Sequence, residues 1–496
     1  MLVFVSDLHL NDGSAPNSSQ GAMELLAERI GELAMRASWR ADGRYRPVER
    51  IDLVLLGDTL EFTRSRRWLH GEARPWSGPS HPGVAETASA ILDGILQNNA
   101  AQLAVLRSLS ADGILRLPPA NIHGQPVYQA ERLPIPVLIH YVVGESDWLL
   151  HVPGPAFELL RQKVVHHLGV AGAYNHPFPH DPADSDVLLD TLRRHRVLAR
   201  HGDIFDPLAF HEVRDASSVG ETLAIEVGLR FLVEVEQQLG DDLPAATWAG
   251  VRDLDHVRPI SCIPAYLDSL LSATCPRMPV RKALKDLWDR GVDRWLEQGF
   301  ARPSYGLVGA DITDALAQRL RFPRLADTMA AKNHPIIDAG DENHHWAGHA
   351  LGEADLRNRR ASHVVYGHTH VATAMPLEVS HAEGFVLQQT YFNTGAWQRI
   401  YRPTMPVAGR QDFSAIDALT LLSFFTGDER GGRPYETWTG TLGVATSEAA
   451  APRETPIMVA PAPMPGVMIS PAHAAMRSPH FAVGAPVAPR QSASRR

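Results

Sequence analysis

The chain has 496 residues, 47 Lys+Arg against 56 Asp+Glu, and 44% hydrophobic residues, which suits a folded protein of two or three domains, or one enlarged domain, with a sizeable core. A net charge of −9 gives no basic footprint for coating nucleic acid, and two cysteines, Cys262 and Cys275, exclude a disulfide scaffold or a cysteine zinc module. No apolar run reaches the roughly 18 residues of a membrane-spanning helix. The segment MLVFVSDLHL has no basic leader and reads as a first strand rather than a signal peptide, so a cytoplasmic location is expected.

In chain order, Leu2–Val5 is predicted as a strand ending in Ser6-Asp7-Leu8-His9, and Gly21–Arg36 as an amphipathic helix. Ile51–Leu56 is a strand ending in Gly57-Asp58, and Thr87–Leu109 reads as one helix. Val137–Val143 runs into Gly144-Glu145-Ser146-Asp147, and Val197–Ala199 into Arg200-His201-Gly202-Asp203. Helical patterns over Glu221–Leu239, Tyr266–Ser272, Val280–Gln298 and Asp311–Leu320 follow, punctuated by Pro259, Pro264 and Pro276. Trp288 and Trp295, seven apart, share a helix face and read as core, with substrate stacking as the sharper alternative. Asp338–His349 (DAGDENHHWAGH) reads as a polar loop lining a cleft, with a separate metal site as the alternative. Val364–Tyr366 ends in Gly367-His368-Thr369-His370, and Phe385–Phe392 in Asn393-Thr394-Gly395. The Pro- and Ala-rich stretch 451–496 reads as a flexible tail.

Buried strands with polar stops predict an α/β fold whose site lies at the strands' carboxyl ends. Seven ligand-type residues fall there: Asp7, His9, Asp58, Glu145, His201, His368 and His370. Carboxylates with imidazoles suit two divalent metal ions such as Mn, Fe, Zn or Mg. On an extended exit, side chains two apart point the same way, so Asp7 and His9 are expected to share one metal, and His368 and His370 to repeat the pattern. Asp58 is the natural bridge, with Gly57 letting the backbone come close. Such a pair, about 3.5–4 Å apart, activates a water and clamps phosphoryl oxygens, and its charge offsets the acidic balance locally.

The ordered blocks Asp7-Leu8-His9, Gly57-Asp58, Gly144-Glu145-Ser146-Asp147, His201-Gly202-Asp203 and Gly367-His368-Thr369-His370 resemble the calcineurin-like metallophosphoesterases. The texture is most similar to the UDP-2,3-diacylglucosamine pyrophosphohydrolase branch, through the SDLHL start, the GDTLE block Gly57–Glu61 and the N-T-G segment after GHTH. The resemblance covers 1–62, 135–212 and 360–400. It implies a four-layer fold of two packed sheets flanked by helices, carried by 1–450, with insertions at about 63–134 and 213–360 and the second acting as a helical cap. It implies a phosphohydrolase that cleaves a phosphoester or pyrophosphate bond through a metal-activated hydroxide. Asp7, His9 and His370 would then hold one metal, Asp58 would bridge, and His201, His368 and Glu145 would hold the other; Asp58 and His201 would be central to catalysis. Asp147 would be structural or orient a histidine, and Asn393 would bond ligands or nearby backbone, or simply form a turn. A phosphorylated small molecule or lipid-linked nucleotide is the expected substrate class, the latter implying an apolar groove for which Glu221–Leu239 is a candidate.

The chain departs from the family at Glu145-Ser146, where Asn followed by His or Arg is usual. Glu145 can still ligate, but Ser146 cannot steady a phosphoryl group as His or Arg does, leaving His140, His151, Arg200 or His211 as substitutes. Two rival readings remain: a non-catalytic interaction protein on the same fold, and a nuclease, which neither charge nor aromatic-basic patterning favours.

Overall fold

The computed structural model describes residues 1–15, 21–210, 212–298, 316–322, 342–382, 385–404 and 411–441. The strands are β1 (Leu2–Val5), β2 (Ile51–Leu56), β3 (Arg116–Leu117), β4 (Leu133–Pro134), β5 (Val137–Val142), β6 (Val197–Ala199), β7 (His363–Tyr366), β8 (Thr373–Ala382), β9 (Phe385–Asn393), β10 (Ile400–Pro403), β11 (Phe413–Ile416), β12 (Ala418–Phe424) and β13 (Tyr435–Thr441). All six strands predicted from the sequence are present, as β1, β2, β5, β6, β7 and β9. The fold is mixed α/β.

The five-stranded sheet has the order β13-β12-β1-β2-β5, and the four-stranded sheet β6-β7-β9-β8. β1, β2 and β5 run parallel, with Leu2 opposite Asp52 and Ile51 opposite Val137. β6, β7 and β9 are likewise parallel, and β8 and β12 join antiparallel. Alternate strand residues divide between faces. Phe4, Val54, Leu56 and Val142 of the first sheet share one buried cluster with Val197, Ala199, Val365 and Phe392 of the second. The opposite face of the first sheet (Val3, Val5, Leu53, Leu55, Ile139) packs on helices α1 (Ala22–Ala37), α2 (Pro82–Asn98), α3 (Ala100–Ser110) and α4 (Pro155–Leu168). The opposite face of the second sheet (Leu198, Val364, Tyr366, Tyr391) packs on Trp346, Ala347 and Ala350 of helix Glu342–Gly352. Sheets buried on both faces explain the near-continuous apolar strands.

One helix prediction and one loop prediction need correction. Thr87–Leu109 is two helices, α2 and α3, broken at Asn99. The buried Asn99 amide donates to the carbonyls of Asn11 and Ile95 (both 2.8 Å), a tertiary role that periodicity does not reveal. Glu342–Gly352 is helical, so the described part of Asp338–His349 is not a loop. Glu221–Leu239 is one run with a π-helical stretch at Ala224–Leu229. Of Asp311–Leu320, the described residues 316–320 are helical. Between 208 and 322 the helices surround their own apolar cluster, which buries Phe231, Leu267, Leu284, Trp288 and Trp295. Both tryptophans are therefore core. The short strands β3 and β4, the antiparallel β8 and the strands β10 to β13 were not foreseen. Cys262 and Cys275 are free thiols, and among the described residues no helix is long and apolar enough to cross a membrane. The stretch 451–496 lies outside the described residues.

Candidate metal centre

The parallel ladder continues past the ends of β1 and β2: the Asp7 amide donates to the Gly57 carbonyl (3.2 Å) and the His9 amide to that of Asp58 (2.9 Å). The exits are not extended, however. Asp7, His9, Asp58, His368 and His370 have φ of 54°, 44°, 51°, 68° and 61°. Only nine non-glycine residues among those described have positive φ, and these are five of them. Each such residue costs about 1–3 kcal/mol and persists only where its surroundings impose it. The pairs Asp7/His9 and His368/His370 thus enter the site through left-handed backbone, not through the alternation of an extended strand. Asp7 and His9 do share one cluster, as expected. His368 and His370 go to different ones.

Asp7, His9 and His370 bring ligand atoms within 4.8 Å of one another, and all three are buried. His9 Nε2 lies 3.2 Å from His370 Nε2, and His370 Nε2 lies 3.1 Å from Asp7 Oδ1. His9 Nδ1 donates to Glu61 (2.8 Å), which leaves its Nε2 as the ligand atom, whereas the Gln398 amide nitrogen donates to His370 Nδ1 (3.0 Å). Both Nε2 atoms face the cluster, and turning the Gln398 amide to offer its oxygen is what would free His370 Nε2 to ligate. Asp7 Oδ1 is buried without a hydrogen-bond donor. A buried carboxylate oxygen with no hydrogen bond is costly, and this one faces the two Nε2 atoms, at 3.1 Å and 3.8 Å, as a cation would require.

The second trio is Glu145, His201 and His368. Glu145 lies 2.8 Å from His201 Nε2 through one oxygen and 2.8 Å from His368 Nδ1 through the other. His201 Nδ1 donates to the Leu56 carbonyl (2.8 Å), which turns Nε2 inward. His368 Nε2 meets Asp206 at 3.0 Å. Asp58 stands between the trios: its Oδ2 is 3.7 Å from His9 Nε2 and 3.6 Å from His201 Nε2. Ser146 holds this carboxylate in place, donating from its backbone amide (2.8 Å) and its hydroxyl (3.0 Å). Glycine is required at Gly57 and Gly144, where a Cβ would collide with His201 and, at Gly144, also with Asp58.

Asp147 is structural. It accepts from the Gly144 amide (2.7 Å), the Thr59 amide (3.0 Å) and the Tyr141 hydroxyl (2.6 Å), tying the loop after β5 to the loop after β2. Asn393 both donates to the Gly367 carbonyl (2.5 Å) and accepts from the Gly395 amide (3.0 Å), so it braces the β7 exit and forms its own turn. His140 pairs with Asp52 (2.9 Å), His151 bonds the Phe178 carbonyl (2.7 Å), and Arg200 pairs with Asp181 (2.8 Å) and Glu353 (3.0 Å). None of these three is held toward the clusters by those bonds. His211 lies outside the described residues.

No protein-family model matches the chain, and no curated protein does.

Electrostatics separate the two trios. Burial raises the Asp7 carboxyl to about 6, despite the opposing field of His201. Burial, then the Arg258 charge, holds His370 well below its ordinary value. In the second trio burial is outweighed: His368 and His201 hold Glu145 well below the usual carboxylate range, and their carboxylate partners hold both histidines well above theirs. Sequence reasoning missed several supporting residues. Glu61 lay in a motif without an assigned task, and Asp206 and Gln398 carried no local signal. Arg64 bonds Glu61 (3.1 Å) and faces Asp255 (3.8 Å). Arg258 donates to the Asp255 (2.6 Å) and Val257 (3.0 Å) carbonyls. Burial, then the neighbouring Arg64, pulls Arg258 down to about 10.

Proposed function

We propose that the chain is a dinuclear metal-dependent phosphohydrolase of the calcineurin-like type, acting on a phosphoester or pyrophosphate bond. The observation that carries this reading is the convergence of two ligand trios on the shared Asp58 carboxylate, on backbone held left-handed at five of the ligands. Four other described residues share that backbone singly, but only here do five of them gather at one cluster of ligand-type side chains. The layering of the two sheets and their flanking helices agrees with the same family.

Asp7, His9 and His370 would hold one divalent ion, Glu145, His201 and His368 the other, and Asp58 would serve both. Such a pair supplies Lewis acidity and lowers the pKa of a water toward neutrality. The chain's own residues do the rest. Glu61 and the Leu56 carbonyl orient His9 and His201. Ser146 fixes Asp58 instead of touching substrate. The task of holding phosphoryl oxygens then falls to Arg64 and Arg258. Arg64 is already compensated by Glu61 and Asp255, whereas burial and then Arg64 disfavour the Arg258 charge, so an anion would be most welcome at Arg258.

The test is metal analysis of the purified chain and assay of simple phosphomonoesters and phosphodiesters with Mn²⁺. Bound metal and turnover are expected. A chain that binds no divalent ion and hydrolyses neither class would overturn the proposal.

A further inference from the structure

Outside the two trios, a second group of imidazoles carries geometry of its own. His345 and His349 lie four apart on helix Glu342–Gly352, so they share a face. Their Nε2 atoms are 3.2 Å apart. Two nitrogens bound to one cation at about 2.0–2.1 Å with tetrahedral angles stand about 3.3 Å apart. The buried neighbours Trp346, Ala347 and Ala350 dock the helix on the second sheet, while His345 is exposed and His349 partly so. Water can therefore complete a coordination shell. The pair is also preorganised. His349 stacks on Phe205 with ring centroids 4.4 Å apart and planes 17° apart. Burial, then the neighbouring His345, lowers the His349 pKa, which favours the neutral rings that ligate metals.

We propose that His345 and His349 form a further divalent-cation site, separate from the two trios and selective for borderline ions such as Zn²⁺. Among the described residues no carboxylate joins the pair, and two imidazoles alone suit Zn²⁺, Ni²⁺ or Cu²⁺ and disfavour the oxygen-seeking Mn²⁺ and Mg²⁺. The site would stand at the rim of the more open trio. Trp346 packs against His368 with centroids 5.5 Å apart, and Asp206, which meets His368, follows Phe205 in sequence. An ion there would brace the helix that flanks the centre.

The experiment is Zn²⁺ stoichiometry of the full chain by equilibrium dialysis, comparing wild type, His345→Ala, His349→Ala and Asp58→Ala. Both histidine variants are expected to bind one equivalent fewer than wild type and to keep the wild-type circular dichroism. Mn²⁺ stoichiometry should not change in them. Equal Zn²⁺ binding in wild type and both histidine variants would overturn the proposal and leave the pair as an N–H···N hydrogen bond. The Asp58→Ala arm is read separately, because unchanged stoichiometry there counts against the central metal pair and not against the helix site.

Discussion

The two halves of the candidate centre are built on opposite principles. The half made by Asp7, His9 and His370 is fully buried, and it leaves Asp7 Oδ1 without a donor and His370 far below its usual pKa. The half made by Glu145, His201 and His368 is partly open, with the Glu145 side chain 24% exposed, and its charges already neutralise one another. The first offers a buried acceptor that a cation would satisfy. The second is a self-satisfied set of ion pairs that a cation must break into. A single site can therefore contain one position that demands an ion and one that trades ions for protons.

The sharpest way to break this comparison is to remove what joins the halves. Asp58→Ala should cost more than a thousandfold in kcat/KM, more than the roughly 10–100-fold typical of residues that only support a ligand. A variant that retained full phosphoesterase turnover would dissolve the two-half centre altogether. Next comes a control outside both halves. Burial raises the Glu221 carboxyl from 4.5 to about 7, against bonds from Ser217, Trp148 and Thr63. A carboxyl whose folded pKa is raised adds its full stability below pH 4.5 and loses it as pH rises through about 7. The loss is on the order of 3 kcal/mol. Glu221→Gln should flatten that part of a denaturation-against-pH profile, and an unchanged slope would place the pH sensitivity in the centre itself.

Smaller effects sharpen the contrast. Glu61→Gln, which loosens the buried His9, should lower affinity for the tighter ion about 10–100-fold. Asp206→Asn should affect only the ion lost first to a chelator. Stepwise competition with a metal indicator separates the two, and equal effects on both ions in either variant would contradict the division. Smallest of all, Arg258→Ala should raise KM for a phosphomonoester by about tenfold, the size of one charge-assisted bond. Metal content and kcat should stay close to wild type in steady-state assays.

The strand exits were readable because β-branched apolar runs stop abruptly at Asp7, Asp58, Glu145, His201 and His368, and a buried parallel sheet imposes that pattern. Their left-handed backbone was not readable, since nothing in Asp-x-His distinguishes an extended exit from a turned one. Glu61, Asp206, Gln398 and Arg258 were silent for another reason: each matters through a partner far away in sequence. β12 and β13 pair antiparallel beside β1, yet no polar ligand marks their ends. Ser146 appeared as a defect because its use, holding Asp58, depends on a carboxylate 88 residues away.

The separation of the ligands also sets a timetable. His9 and His370 meet across 361 residues, and β1 gains its outer neighbour only when β12 has been made. At about 5–20 residues per second of synthesis, roughly 20–70 s pass between the emergence of one partner and the next. Through that interval Asp7 and His9 leave the ribosome as an unfinished half-site. If the centre takes up ions as proposed, their capture is a late event in the life of each new chain, reserved for molecules whose second sheet has already closed.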